Sequence, residues 1–260
     1  MPPFWIVFAA SFFGAVSAAS ALEGGYAARA DHALRRSAVA IQSVQPMAGG
    51  KARVSDCTGI LIAPDLVLTA GHCLEVAERP EHTVVVGFTA EGRPSQPVTA
   101  RSVVFHPNHV AGWWRQPASP ETRQREIAAD MAMIRLSRPL GGDSTPIAVA
   151  GDVRARARAG SSFIAGAGVG GGSPFALRIA PVNGVALLQR GATIALGSAG
   201  SAKACRGDSG GPVASLVDGQ LEVWGVTGAV LRENQGCSAR VAIAFIEPEA
   251  LRSMMARLGR

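Results

Sequence analysis

The chain predicts an all-β fold, a barrel or a sandwich, on three observations. Short runs rich in β-branched residues recur along it, turn residues separate them, and no alternation of strand and helix periods is visible. The first runs are Ala38-Val39-Ala40-Ile41 and Gly59-Ile60-Leu61-Ile62. Leu66-Val67-Leu68-Thr69 follows the turn signal Pro64-Asp65, and then come Thr83-Val84-Val85-Val86, Met131-Ala132-Met133-Ile134 and Leu221-Glu222-Val223-Trp224. Between the last two, Arg154 to Arg158 alternates arginine with alanine and reads as a solvated turn or edge. A helical period appears only at the end. Ile246, Ala250, Leu251, Met254, Met255 and Leu258 recur at three- and four-residue steps after Glu247-Pro248-Glu249, whose proline and acids suit a first turn.

Composition narrows the function classes. A chain of 260 residues can bury a sizeable core, and 48% hydrophobic residues is too many for a disordered one. Lys+Arg number 25 against 19 Asp+Glu, a balance of +6, but the arginines are scattered and form no dense basic helix. Nucleic acid is therefore not an expected partner. Lys51 and Lys203 are the only lysines, a bias that fits a GC-rich genome.

The first twenty residues carry no Lys, Arg, Asp or Glu, and Phe4 to Val16 is nearly unbroken apolar sequence. That run is too short to span a bilayer comfortably, and Ala19-Ser20-Ala21 offers an A-x-A cleavage site, with Val16-Ser17-Ala18 as an alternative. Residues 1–21 read as a signal peptide and residues 22–260 as the exported domain, extracellular or periplasmic, with no stable membrane span after processing. In oxidising surroundings the four cysteines, Cys57, Cys73, Cys205 and Cys237, read better as two disulfides than as a metal site, since no C-x-x-C pair nominates zinc.

Three segments carry chemistry: Thr69-Ala70-Gly71-His72-Cys73, then Ala129-Asp130-Met131-Ala132, then Cys205-Arg206-Gly207-Asp208-Ser209-Gly210-Gly211-Pro212. A serine enclosed by Gly207, Gly210 and Gly211 can have backbone N–H groups turned toward one point, as an oxyanion hole requires. In the order His, Asp, Ser, with these neighbours, the segments resemble the trypsin/chymotrypsin-like serine proteases. From Ser209 to Val230 the sequence is similar to elastase-like members, and the whole suggests a secreted bacterial one.

That resemblance implies two packed antiparallel six-stranded β-barrels with a C-terminal helix. The first would run from about Leu22 to Leu140 and the second from Gly141 to about Phe245. It implies Ser209 as nucleophile, His72 as general base and Asp130 as the group that orients the imidazole. The N–H groups of Gly207 and Ser209 would bind the oxyanion. It also implies bridges Cys57–Cys73 and Cys205–Cys237, while Ser215 stands where animal members carry a cysteine of a third bridge.

Asp208 corresponds to the family's partner for a newly made N-terminal amine, and Leu22-Glu23-Gly24-Gly25 is the segment nearest to an activation sequence. Leu22 directly follows the best-placed signal cleavage site, so one cut would both release and activate the enzyme. Lys203 corresponds to the base of the specificity pocket, with Val230 and Arg240 on its walls. Arg/Lys-directed cleavage is thereby disfavoured, leaving an acidic or a small aliphatic P1 residue. Gly228 replaces a serine whose hydroxyl supports the triad aspartate in relatives. His106, His109, Trp113 and Trp114 are expected on a loop in surface or packing roles. No cofactor and no metal, calcium included, is expected. The expected partners are protein or peptide substrates and a protein inhibitor, with the enzyme a monomer. The competing class is a non-enzymatic binding module built on the same barrels.

Overall fold

The computed structural model describes residues 22–29, 31–89, 93–159, 161–167, 177–230 and 237–259, with the side chain of Val230 outside the description. The expected signal peptide, residues 1–21, lies outside the described residues.

A two-residue strand, β1 (Tyr26–Ala27), is followed by α1 (Ala33–Ser37), a short helix whose first turn is capped by His32 accepting the Leu34 N–H at 3.2 Å. Six strands follow: β2 (Ala38–Pro46), β3 (Ala52–Ala63), β4 (Leu66–Thr69), β5 (Thr83–Val86), β6 (Val98–Phe105), and, after α2 (Pro120–Ala128), β7 (Ala132–Leu136). They close into an antiparallel barrel in the order β2-β3-β4-β7-β6-β5. Val39, Ile41, Val67 and Ile134 are buried on one face of its strands and Ile60 and Leu68 on the other, each contributing about 1.5–3 kcal/mol relative to exposure.

The second barrel follows α3 (Val153–Arg158). Its strands are β8 (Ser161–Gly166), β9 (Arg178–Leu188), β10 (Ile194–Ser198), β11 (Pro212–Val217), β12 (Gln220–Val230) and β13 (Arg240–Phe245). The order β9-β10-β13-β12-β11-β8 closes through the β8–β9 pairing, so the fold is the two six-stranded barrels expected. The last helix, α4 (Pro248–Leu258), ends the chain as its periodicity predicts.

The chain ends cross over. β1 pairs with β9 of the second barrel, so the N-terminal segment expected in the first barrel joins the other one. α4 packs on β6 and β7 of the first barrel, burying Met254 and donating from Arg257 to the Phe105 carbonyl at 3.0 Å.

Three helices, α1 among them, correct a sequence reading that placed a helical period only at the end of the chain. Arg154 to Arg158 forms α3 rather than a solvated turn or edge, because Asp152 accepts the Arg154 and Ala155 N–H groups and Val153 and Ala157 bury one face. Its Arg156 pairs with Glu222 of β12. α2 begins on a Ser119 cap with Pro120 in the first turn, a start signal that its strongly polar body obscured.

Candidate active site

His72 lies on a single tight turn, Gly71–Cys73, just after β4, and the Cys57–Cys73 disulfide ties that turn to β3. Asp130 lies between α2 and β7 and is fully buried. A buried carboxylate needs donors. Its Oδ1 accepts the His72 backbone N–H at 2.8 Å and its Oδ2 lies 2.6 Å from His72 Nδ1. Burial of the imidazole works against its charged form. The Asp130 charge, the hydrogen bond to it and the charge of Glu75 outweigh this, so the His72 pKa is raised above the ordinary histidine value.

Behind Asp130 stands His109, 6% exposed, with Nδ1 3.7 Å from Asp130 Oδ1 and Nε2 3.0 Å from Glu75 Oε1. Glu75 also accepts the Gly112 N–H, which orders the start of the Trp113–Arg115 turn. Trp113 is buried there, while Trp114 is 38% exposed and meets the His72 ring edge-on, centroids 5.4 Å apart. Trp113 is buried, as a packing role requires, whereas His109 joins Glu75 and Asp130 in a polar cluster in which Glu75 was not expected. It is distant from Asp130 in sequence and sits in no recognisable motif.

The segment around Ser209 is a tight turn ahead of β11, with Gly207 and Gly210 at φ 96° and 83°, values that favour glycine. The Asp208 carbonyl accepts the Gly211 N–H at 3.1 Å, and the Gly210 N–H donates to the Thr227 carbonyl at 2.7 Å. Among the described residues the N–H groups of Gly207 and Ser209 have no protein acceptor. Ser209 and His72 come from different barrels, and the Ser209 carbonyl lies 3.8 Å from Cys73 Sγ, beside the histidine turn. No hydrogen bond joins the Ser209 hydroxyl to His72 among the described residues, as in many such sites before substrate tightens them.

Asp208 is fully buried, and its Oδ2 accepts the Leu22 backbone N–H at 2.9 Å and the Cys205 N–H at 2.8 Å. Gly166 makes room for it, since a Cβ at that position would sit 2.0 Å from Asp208 Oδ1. Leu22 is buried with φ 35°, a strained value for a leucine.

Around the expected specificity pocket, Cys205 and Cys237 are bridged. Lys203 is exposed, its backbone N–H donating to the Glu23 carbonyl at 2.8 Å, and its side chain makes no ion pair among the described residues. Arg240 opens β13 and is also exposed. Val230 ends β12, and residues 231–236 lie outside the described residues. A Cβ on Gly228 would meet Ile127 and Ala242 and would not come within 4 Å of Asp130. Among the described residues, the two groups that approach metal-ligand spacing, Cys57–His72–Cys73 and Glu23–Cys205–Cys237, each contain a disulfide, whose sulfurs are not thiolates.

Two closed barrels with a histidine–aspartate pair on one and a glycine-flanked serine on the other define a serine protease. The Trypsin family model matches residues 35–248, most of the chain, and the chain belongs to that family. It is a serine endopeptidase, a hydrolase of peptide bonds.

Proposed function

We propose that peptide bonds are cut through a Ser209–His72–Asp130 triad and an acyl-enzyme. Ser209 Oγ attacks the scissile carbonyl as His72 takes its proton, and the same imidazole returns the proton to the leaving amine. Asp130 holds the ring with Nδ1 protonated and offsets the positive charge that forms on it. The negative oxygen of the tetrahedral intermediate is received by the Gly207 and Ser209 N–H groups. The observation that carries this reading is the 2.6 Å contact between His72 and a fully buried Asp130. A fluorophosphonate probe should label the folded protein and fail to label Ser209→Ala; no labelling of processed wild type would favour a binding module.

The mature enzyme is proposed to be exported and to begin at Leu22. The Leu22 nitrogen already lies 2.9 Å from Asp208, and its φ of 35° is a strain that a chain terminus does not bear. Cleavage after Ala21 would turn a neutral amide donor into an ammonium facing a buried carboxylate, a stronger pairing. N-terminal sequencing of the secreted protein checks this, and a start at Ala19, Ser20 or Ser37 would remove it. For specificity, the P1 residue is proposed to be acidic and paired with Lys203, or small and aliphatic with Lys203 turned to solvent, and the exposure of Lys203 supports the second reading. Peptides varied only at P1 separate the two, and a preference for Arg would refute both. Protein substrates follow from the family; a protein inhibitor and a monomeric state remain part of this proposal.

A further inference from the structure

Thr58 of β3 is a buried residue with no place in the triad, and it touches the nucleophile turn at two points. Its N–H donates to the Ser209 carbonyl at 2.9 Å, and its hydroxyl donates to the Gly207 carbonyl at 2.7 Å. The direction of that hydroxyl is settled by a third contact. The Ala167 N–H lies 2.8 Å from Thr58 Oγ1 and can only donate, so the single hydroxyl proton is left for the Gly207 carbonyl, which can only accept. Behind them, Thr69 Oγ1 donates to the Thr58 carbonyl at 2.7 Å.

These bonds act on three consecutive peptide units. The unit from Gly207 to Asp208 is held at both edges, its carbonyl by Thr58 Oγ1 and its N–H by the Cys205 carbonyl at 3.2 Å. In the unit from Asp208 to Ser209 the carbonyl is taken by the Gly211 N–H, and the Ser209 N–H has no acceptor among the described residues. The unit from Ser209 to Gly210 is again held at both edges, by the Thr58 N–H and the Thr227 carbonyl. A peptide plane held at its carbonyl does not turn, so the adjoining planes that carry the Gly207 and Ser209 N–H groups keep only the torsions at the shared Cα atoms, and Thr58 narrows these from the flanking planes while Gly211 holds the Asp208 carbonyl itself. Gly207 especially needs this restraint, because a glycine has no side chain to limit its own rotation.

We propose that Thr58 is the positioning residue of the oxyanion hole, reaching from the first barrel to orient the Gly207 and Ser209 N–H groups contributed by the second. This rests on the triad reading above. Donors that point at one spot before substrate arrives stabilise the tetrahedral intermediate more than the ground state, so the hydroxyl's contribution belongs in kcat rather than KM.

The test compares wild type, Thr58→Val, which keeps the shape and removes the hydroxyl, and Thr58→Ser, which restores it. Expected for Thr58→Val is a fall of about ten- to a hundredfold in kcat with KM within about twofold, an equal loss of affinity for a peptide boronate that mimics the tetrahedral state, and recovery to within about threefold in Thr58→Ser. Should Thr58→Val fail to fold by circular dichroism, Thr58→Ala read against Thr58→Ser carries the same comparison. Unchanged kcat in a folded variant, a loss confined to KM, or boronate affinity that does not follow kcat overturns the proposal. A wild-type enzyme that neither hydrolyses peptides nor reacts with a fluorophosphonate would instead remove the reading beneath it.

Discussion

Trp224 donates its indole N–H to Ser215 Oγ at 2.9 Å inside the second barrel, and Ser215 Oγ lies 2.8 Å from Ser162 Oγ on the neighbouring strand. All three groups are buried. A hydrogen-bonded triplet thus joins β8, β11 and β12 at the position where animal relatives place a cysteine of their third bridge. Ser215→Ala leaves the indole N–H buried without an acceptor and should cost about 1–3 kcal/mol of stability in chemical denaturation, with little change in active-site labelling.

Gly166 has a comparable structural necessity with a catalytic readout. Gly166→Ala would drive a methyl group into the Asp208 carboxylate, 2.0 Å from Oδ1 and 2.6 Å from Cγ. The carboxylate must then leave the Leu22 and Cys205 N–H groups. The fluorophosphonate labelling rate is expected to fall about tenfold or more, as the nucleophile turn loses its anchor, in a protein that retains its β-rich circular dichroism.

The pH profile reports on Glu75. Its negative charge favours the His72 imidazolium, and the general base must be the neutral form, so kcat/KM falls as pH drops through the raised His72 pKa. Replacing the charge in Glu75→Gln makes the imidazolium less favourable and lowers that pKa. The acid limb of kcat/KM should therefore move to lower pH than in wild type. An unmoved or upward-moved limb contradicts the electrostatic role.

The histidine turn depends on its bridge. Cys57 and Cys73 are separated by 16 residues, and closing a loop of that length stabilises a folded chain by about 3 kcal/mol. Replacing both by alanine should lower the unfolding free energy by about that amount. Peptidase activity should fall further than the loss of folded fraction explains, because the bridge also holds the turn that carries His72.

How much of this was legible in the sequence depends on whether the signal was local. His72, Asp130 and Ser209 announced themselves through their immediate neighbours, and the strands through short β-branched runs. α2 and α3 were missed because their polar and alanine-rich bodies lack a broad apolar face, although Ser119, Pro120 and Asp152 were visible start signals. His109 and Glu75 could not be paired by inspection, since 34 positions separate them. Thr58 was the hardest to see. Its contacts with Gly207 and Ser209 span about 150 positions and exist only once two barrels are assembled. The crossing of the chain ends was hidden for the same reason.

That crossing gives the molecule a pair of straps. The two barrels are strapped together by an amino-terminal segment fastened through Leu22 and β1 to the second barrel, and by a carboxy-terminal helix fastened through Met254 and Arg257 to the first. Neither half is therefore a self-sufficient module. Pulling the barrels apart would peel both ends from their seats at once, whereas a cut in the connecting stretch at residues 141–146 would leave the two pieces buckled together.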